Sequence, residues 1–311
     1  MVEIWKFVPF MRKTLKQIKY FPFRLFNSFK PIQEFRSYEY NLSVVAIVKD
    51  EAQYLLEWFD FYRVLGISHI YLYDNGSTDH TKELIDNYSD PNFITYTSMP
   101  GIAMQYKAYE DAISRFKYET KYMAFIDADE FLMPCRVDSD ICKVVDSIFT
   151  SSKHIGGIAV NWRMYGSNGH VQKPKGLVLE NYLYRDIDGG RGNACIKTIA
   201  NPRLVVCYKN AHYPIYRLGF YSVNELGHKC KGAYNFEGCS SLCFLRINHY
   251  FTKSKNEWMI RRSRRVADKA HGETRSIEQL EQDFKLYDNN IVRDDIGLYY
   301  AKLIHTLRNK L

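Results

Sequence analysis

The chain has 311 residues, 46% of them hydrophobic and 25% charged, which is ordinary globular composition and excludes wholesale disorder. That length suits one large α/β domain with extensions. Forty-three basic against 35 acidic residues leave a net charge of +8; the surplus fits nucleic acid, acidic lipid headgroups or a diphosphate, and does not choose among them. No apolar run reaches the roughly 18–20 residues of a membrane span, and Lys6, Arg12 and Lys13 interrupt any signal-peptide core. The seven cysteines are irregularly spaced, with only Cys239 and Cys243 close together, and read as reduced thiols of a cytosolic-type compartment. Aromatic residues at 15% suit a dense core first and ligand stacking second.

Residues 1–40 carry eight Lys or Arg against three Glu. Met11, Leu15 and Ile18 recur at helical spacing, and Phe21, Phe23, Phe26 and Phe29 follow, interrupted by Pro22. The segment reads as an interfacial anchor on an anionic membrane, as a helix packed on the domain, or as a weakly ordered leader. From Leu42 to Val48 an apolar, β-branched run predicts a buried strand. A helix follows from Glu51, with Leu55, Phe59, Tyr62 and Gly66 along one face. Ile67–Tyr73 is a second strand, and Ser77-Thr78-Asp79 is read as the cap of a helix reaching about Tyr88. Phe93–Thr97 is a third strand. A helix over about Ile102–Lys117 comes next, and a fourth strand, Tyr122–Ile126, runs into Asp127-Ala128-Asp129-Glu130.

Four alternations of strand and helix predict a parallel sheet. Ligands of such sheets bind beyond the carboxyl ends of the strands, where the polar clusters Lys49-Asp50-Glu51, Asp74-Asn75-Gly76-Ser77 and Asp127-Ala128-Asp129 all stand. Beyond residue 150 short strand-like runs continue to about Tyr250. A basic helical tail follows, with Arg261, Arg262, Arg264 and Arg265 in quick succession. The expected division is a segment 1–40, a main domain 41–265 in two halves (41–130 and 131–250), and a helical tail 266–311.

Asp-x-Asp at a strand end places two carboxylates near one site, where they repel unless a cation neutralises them. A hard divalent ion shared with a diphosphate satisfies that need; a solvated capping turn is the bland alternative. In this setting the residues resemble a known family. Val45-Ala46-Ile47-Val48-Lys49-Asp50-Glu51, Leu55-Leu56-Glu57-Trp58, Tyr71-Leu72-Tyr73-Asp74-Asn75-Gly76-Ser77-Thr78-Asp79 and Phe125-Ile126-Asp127-Ala128-Asp129-Glu130-Phe131 look like family 2-type glycosyltransferases, more narrowly the branch close to family 92. Tyr165-Gly166-Ser167-Asn168-Gly169-His170 and Ile247-Asn248-His249-Tyr250-Phe251-Thr252-Lys253-Ser254 resemble two later signatures of that branch.

The resemblance implies a GT-A fold: a mostly parallel central sheet flanked by helices, with an irregular acceptor half. It also implies a nucleoside diphosphate sugar donor, most simply a UDP-sugar, and Mn²⁺ or Mg²⁺. Val48, Lys49, Glu51, Asp74, Gln105, Asp127 and Lys253 are the expected donor contacts. Asp127, Asp129 and His249 are the expected metal ligands, although His249 taken without the resemblance reads first as a satisfied core histidine. Two departures from the family pattern stand out, Asp50 in place of the commoner Asn and Tyr62-Arg63 in place of a histidine. For the catalytic base, Glu180 and His170 are the candidates, with Glu225 and His212 behind them. The expected activity is inverting hexosyl transfer to a glycan or lipid-linked glycan in surface polysaccharide or lipopolysaccharide synthesis, by a cytoplasmic protein peripheral to the inner face of the membrane. The rival reading is a basic nucleic-acid-binding protein without chemistry; against it, basic residues gather at the chain ends and no nucleic-acid signature is present.

Overall fold

In the computed structural model, which describes residues 20–33, 35, 37–88, 90–208, 210–237, 244–263 and 276–310, the first predicted strand is β1 (Tyr40–Val48). The helix expected around Met11, Leu15 and Ile18, the Cys239–Cys243 pair, Arg264 and Arg265 lie outside the described residues. A helix over 20–28, α1, runs through Pro22. After β1 come α2 (Ala52–Leu65), β2 (His69–Asp74), α3 (Thr81–Asp86), β3 (Ile94–Ser98), α4 (Gln105–Phe116) and β4 (Thr120–Phe125). Their strands lie in the order β3-β2-β1-β4, every neighbouring pair parallel.

The period-two alternation of a strand covers both faces of this sheet. Leu42, Val44, Ala46 and Val48 pack with Leu55, Trp58 and Phe59 of α2, while Val45 points the other way, into a core shared with Ala108, Tyr109 and Ala112 of α4. α2 stops at Gly66, whose φ of +89° is a left-handed helix end that costs glycine no Cβ clash. The expected cap of the next helix is displaced. α3 begins at Thr81, whose N–H and hydroxyl donate to Asp79 Oδ1 at 3.0 and 2.6 Å, because Ser77 and Thr78 are drawn back toward the β1–α2 turn.

The second half runs β5 (Glu130–Pro134), α5 (Ile141–Thr150), β6 (Ile155–Met164), α6 (Val178–Asn181), β7 (Tyr184–Arg185), β8 (Ile196–Ala200) and β9 (Val205–Tyr208). It continues through β10 (Pro214–Tyr216), β11 (Tyr221–Val223), β12 (Lys229–Cys230), β13 (Leu245–His249), α7 (Lys255–Ser263), α8 (Ile277–Tyr287), β14 (Val292–Arg293) and α9 (Ile296–Arg308). The sheet extends antiparallel from β4 to β8 and from β8 to β6. β13 pairs with β6 and with β5 in a register that sets His249 opposite Glu130. This is the mostly parallel, helix-flanked sheet with an irregular second half that the GT-A resemblance implies.

α9, placed by sequence in a separate tail, buries Tyr300, Ala301 and Ile304 in the main core, and its Arg308 donates to Asp60 at 2.7 Å. At the other end, α1 is held by polar contacts to the 216–218 turn: Arg24 Nε donates to the Tyr216 carbonyl at 2.7 Å, and Leu218 N donates to Ser28 Oγ at 3.0 Å. Phe21, Phe23, Phe26 and Phe29 stay exposed, at 51 to 80%. Among the described residues no helix is long and apolar enough to cross a membrane, and Cys135, Cys142, Cys195, Cys207 and Cys230 are in no disulfide.

Candidate active site

A cleft of about 650 Å³ opens past the carboxyl ends of the parallel strands, where doubly wound sheets bind ligands. Val48, Lys49 and Glu51 line it from the β1–α2 turn, Asn75 from the end of β2, and Gln105 from the start of α4. Asp127 and Asp129 enter after β4; Trp162, His212, His249 and Arg261 close the far side.

The β1–α2 turn is built on Asp50, which has a φ of +54°. Asp and Asn enter this left-handed region more readily than other side chains. Its Oδ1 accepts from Thr78 N at 2.7 Å and its N–H donates to Ser77 Oγ at 2.9 Å. The family's commoner Asn offers the same acceptor and the same backbone freedom, so the departure preserves the turn. Asp74, expected as a donor contact, does not line the cleft. Its carboxylate is buried and used locally, Oδ1 by Ser77 N and Oγ at 2.8 and 2.6 Å, Oδ2 by the Tyr96 hydroxyl at 3.0 Å. The adjacent Asn75 lines the cleft instead, with its buried Oδ1 unpartnered. Tyr62 does not line the cleft either. Fully buried, it donates to the Glu130 carbonyl at 3.2 Å and accepts from Leu132 N at 3.1 Å.

The two aspartates of the strand end go to different partners. Asp127 Oδ1 lies 2.8 Å from Lys197 Nζ and accepts from Gln105 Nε2 at 3.1 Å. Lys197, from β8, is fully buried and also stands 3.7 Å from Glu130 Oε2. Burial alone would lower the Lys197 pKa, but Asp127 and Glu130 hold it well above the usual lysine range. Burial, with the charges of Asp127 and Asp129, pushes the Glu130 carboxyl well up. Asp129 Oδ2 accepts from Arg261 Nη2 at 2.8 Å, and its Oδ1 is 3.4 Å from His249 Nε2. Burial works against the Asp129 charge, yet Arg261 and His249 outweigh it and hold the carboxyl well below the carboxylate range.

Mutual repulsion of the two aspartates is therefore relieved by the chain's own Lys197 and Arg261, neither of which spacing in the sequence could assign. No group of three His, Cys, Asp or Glu side chains among the described residues converges on a metal position. Asp129 and His249 do come together, and His249 Nδ1 is buried without a partner. That donor set fits a hard cation whose remaining ligands are substrate oxygens, as for Mg²⁺ held with phosphates, and does not make a protein-only cage. Asp127, expected as a third ligand, faces Lys197.

The expected bases are used elsewhere. Glu180 Oε2 accepts from Leu177 N at 3.0 Å and Oε1 pairs with His305 of α9 at 2.7 Å. His170 Nε2 donates to the Asn181 carbonyl at 3.2 Å, and Glu225 accepts from Phe244 and Leu245 N. Of the four candidates only His212 lines the cleft. Its Nδ1–H donates to the Ile196 carbonyl at 2.9 Å, so Nε2 carries the lone pair of the neutral ring. Burial and the nearby Lys197 lower its pKa to about 4. Lys253, expected as a donor contact, is 1% exposed with its Nζ 3.3 Å from the centroid of the Tyr54 ring; burial lowers it to about 8.

Residues 41–234 match the profile of Glycosyltransferase family 92. The chain belongs to glycosyltransferase family 92. A family 92 protein of Arabidopsis thaliana is 26% identical over 166 residues, covering 51% of this chain and 29% of the relative. One of Ricinus communis is 31% identical over 154 residues, covering 47% and 27%. The chain thus spans less than a third of the length of these curated relatives. Among solved structures, Staphylococcus aureus TarS 1–349 in complex with UDP-GlcNAc is similar at 13% identity, covering 53% of this chain and 46% of that one, with a TM-score of 0.37. Glucosyl-3-phosphoglycerate synthase of Mycobacterium tuberculosis, in complex with Mn²⁺, UDP and glucosyl-3-phosphoglycerate, is similar at 16% identity over 40% of this family 92 chain and 44% of its own, with a TM-score of 0.29.

Proposed function

We propose that this chain is a metal-dependent, inverting glycosyltransferase that moves a hexose from a nucleoside diphosphate sugar, most simply a UDP-sugar, to the hydroxyl of a glycan or lipid-linked glycan. The observation that carries the reading is Asp129, held ionised beside His249 in the wall of a cleft that Arg261 also lines. Family 92 membership supports the reaction class. The β1–α2 turn and Asn75 hold the nucleoside, and Gln105 and Lys197 hold Asp127 at the ribose side. Asp129 and His249 would hold the divalent cation, which would supply Lewis-acid stabilisation of the leaving diphosphate. His212 Nε2 takes the proton of the acceptor hydroxyl as the new bond forms. This replaces Glu180 and His170, which do not reach the cleft. Transfer from a positioned donor needs the acceptor oxygen in line with the anomeric carbon, and Trp162, between the rings of His212 and His249 at 5.3 and 4.3 Å, forms the apolar wall for that orientation.

The exposed phenylalanines of α1, beside a basic N-terminal segment, support peripheral attachment to an anionic membrane surface, where lipid-linked acceptors reside. A donor panel tests the whole reading. Slow Mn²⁺-dependent release of nucleoside diphosphate is expected, abolished by EDTA and by Asp129→Asn, and retained in Glu180→Gln. Salt-sensitive retention on nucleic acid without hydrolysis of any donor would overturn it.

A further inference from the structure

Asp129 already possesses a cation. Arg261 Nη2 lies 2.8 Å from its Oδ2, and the carboxylate is only 13% exposed. A divalent ion arriving at this carboxylate meets a like charge at contact distance, held by a charge-assisted hydrogen bond. The guanidinium is not fully used: Arg261 Nη1 is buried without a hydrogen-bond partner, and the side chain lines the cleft. It projects from the last turn of α7 (Lys255–Ser263). A diphosphate in the cleft offers the paired oxygens that match a guanidinium fork.

We propose that Arg261 is the resident counter-cation of Asp129, and that the nucleotide assembles the divalent-cation site by drawing the guanidinium from Asp129 onto the diphosphate. The inference rests on the glycosyltransferase reading and adds an order to it: Mn²⁺ binds poorly alone and well with the nucleotide. Binding linkage is reciprocal, so UDP and Mn²⁺ strengthen one another by the same factor. Arg261 sets part of that factor, because without nucleotide the ion must displace it. A guanidinium that only braced the fold would leave the factor unchanged when removed.

The test is Mn²⁺ binding to the full chain, followed by the electron paramagnetic resonance signal of free Mn²⁺ with and without UDP, and corrected for the Mn²⁺–UDP complex in solution. Arg261→Gln is expected to bind Mn²⁺ alone at least about fivefold more tightly than wild type, and to lower the gain in Mn²⁺ affinity from UDP by at least about fivefold. Arg261→Lys, which keeps the charge without the fork, is expected to lower that gain while remaining folded. Asp129→Asn is expected to lose the binding in every condition. UDP binding to all variants with an unchanged gain overturns the proposal, as does wild-type Mn²⁺ binding in Asp129→Asn. Failure of the wild-type chain to bind UDP or another nucleoside diphosphate, with or without Mn²⁺, overturns the glycosyltransferase reading, and this proposal with it.

Discussion

Replacing Lys197 by Met tests how the cleft keeps two acidic groups side by side. Lys197 is fully buried, 2.8 Å from Asp127 and 3.7 Å from Glu130. Removing one member of a buried ion pair costs roughly 3–5 kcal/mol, because the survivor is left uncompensated. Two features place this site at the low end. The Asp127 side chain is 35% exposed to the cleft, so water screens part of its charge. Glu130 is already pushed toward its neutral form by burial. About 3 kcal/mol remains, which at roughly 2–4 °C per kcal/mol lowers the melting temperature by about 6–12 °C. The decisive measurement is a double-mutant cycle by thermal or denaturant unfolding. Asp127→Asn alone leaves the buried ammonium with only the more distant Glu130, 3.7 Å away, and is also destabilising. The pair Lys197→Met with Asp127→Asn removes both charges and is expected to recover at least about 1 kcal/mol relative to the sum of the singles. Additivity within about 0.5 kcal/mol would refute the ion pair as the element that holds Asp127.

The remaining predictions concern pH and the membrane. His212 titrates near 4 in the folded protein against about 6.5 unfolded. The unfolded chain therefore takes up the proton first as pH falls. Stability from this residue is complete above about pH 6.5 and is lost as pH drops toward 4, by up to about 3 kcal/mol. His212→Gln is expected to flatten that limb of the stability–pH profile, and an unchanged slope would show that the ring is not held neutral by burial. Replacing Phe21, Phe23, Phe26 and Phe29 together by Ser is expected to release the protein from anionic vesicles without changing its melting temperature, because these rings are exposed while Arg24 and Ser28 dock the helix. Vesicle binding equal to wild type would refute the interfacial role.

The sequence by itself determined the parallel half of the fold and the end of the sheet where the site lies. Alternation of Val44, Val45 and Ala46 is a local property of β1, as is the helical period of α2 and α4, and neither needs a distant partner to be read. The polar residues after β1, β2 and β4 follow directly from where each apolar run stops. Only the tertiary structure decided which of those residues face the cleft and what they touch. Asp74 and Asn75 are adjacent in the chain, yet the β2–α3 turn spends the first on Ser77 and Tyr96 and presents the second. Glu180 reads as a free carboxylate until α9 brings His305 against it from 125 positions away. Lys197 reaches Asp127 because β8 pairs with β4, and His249 reaches Asp129 because β13 pairs with β5 and β6. Those pairings join segments separated by dozens of residues, and their register is set by the packing of whole strands, so no spacing along the chain announces which charge will neutralise which.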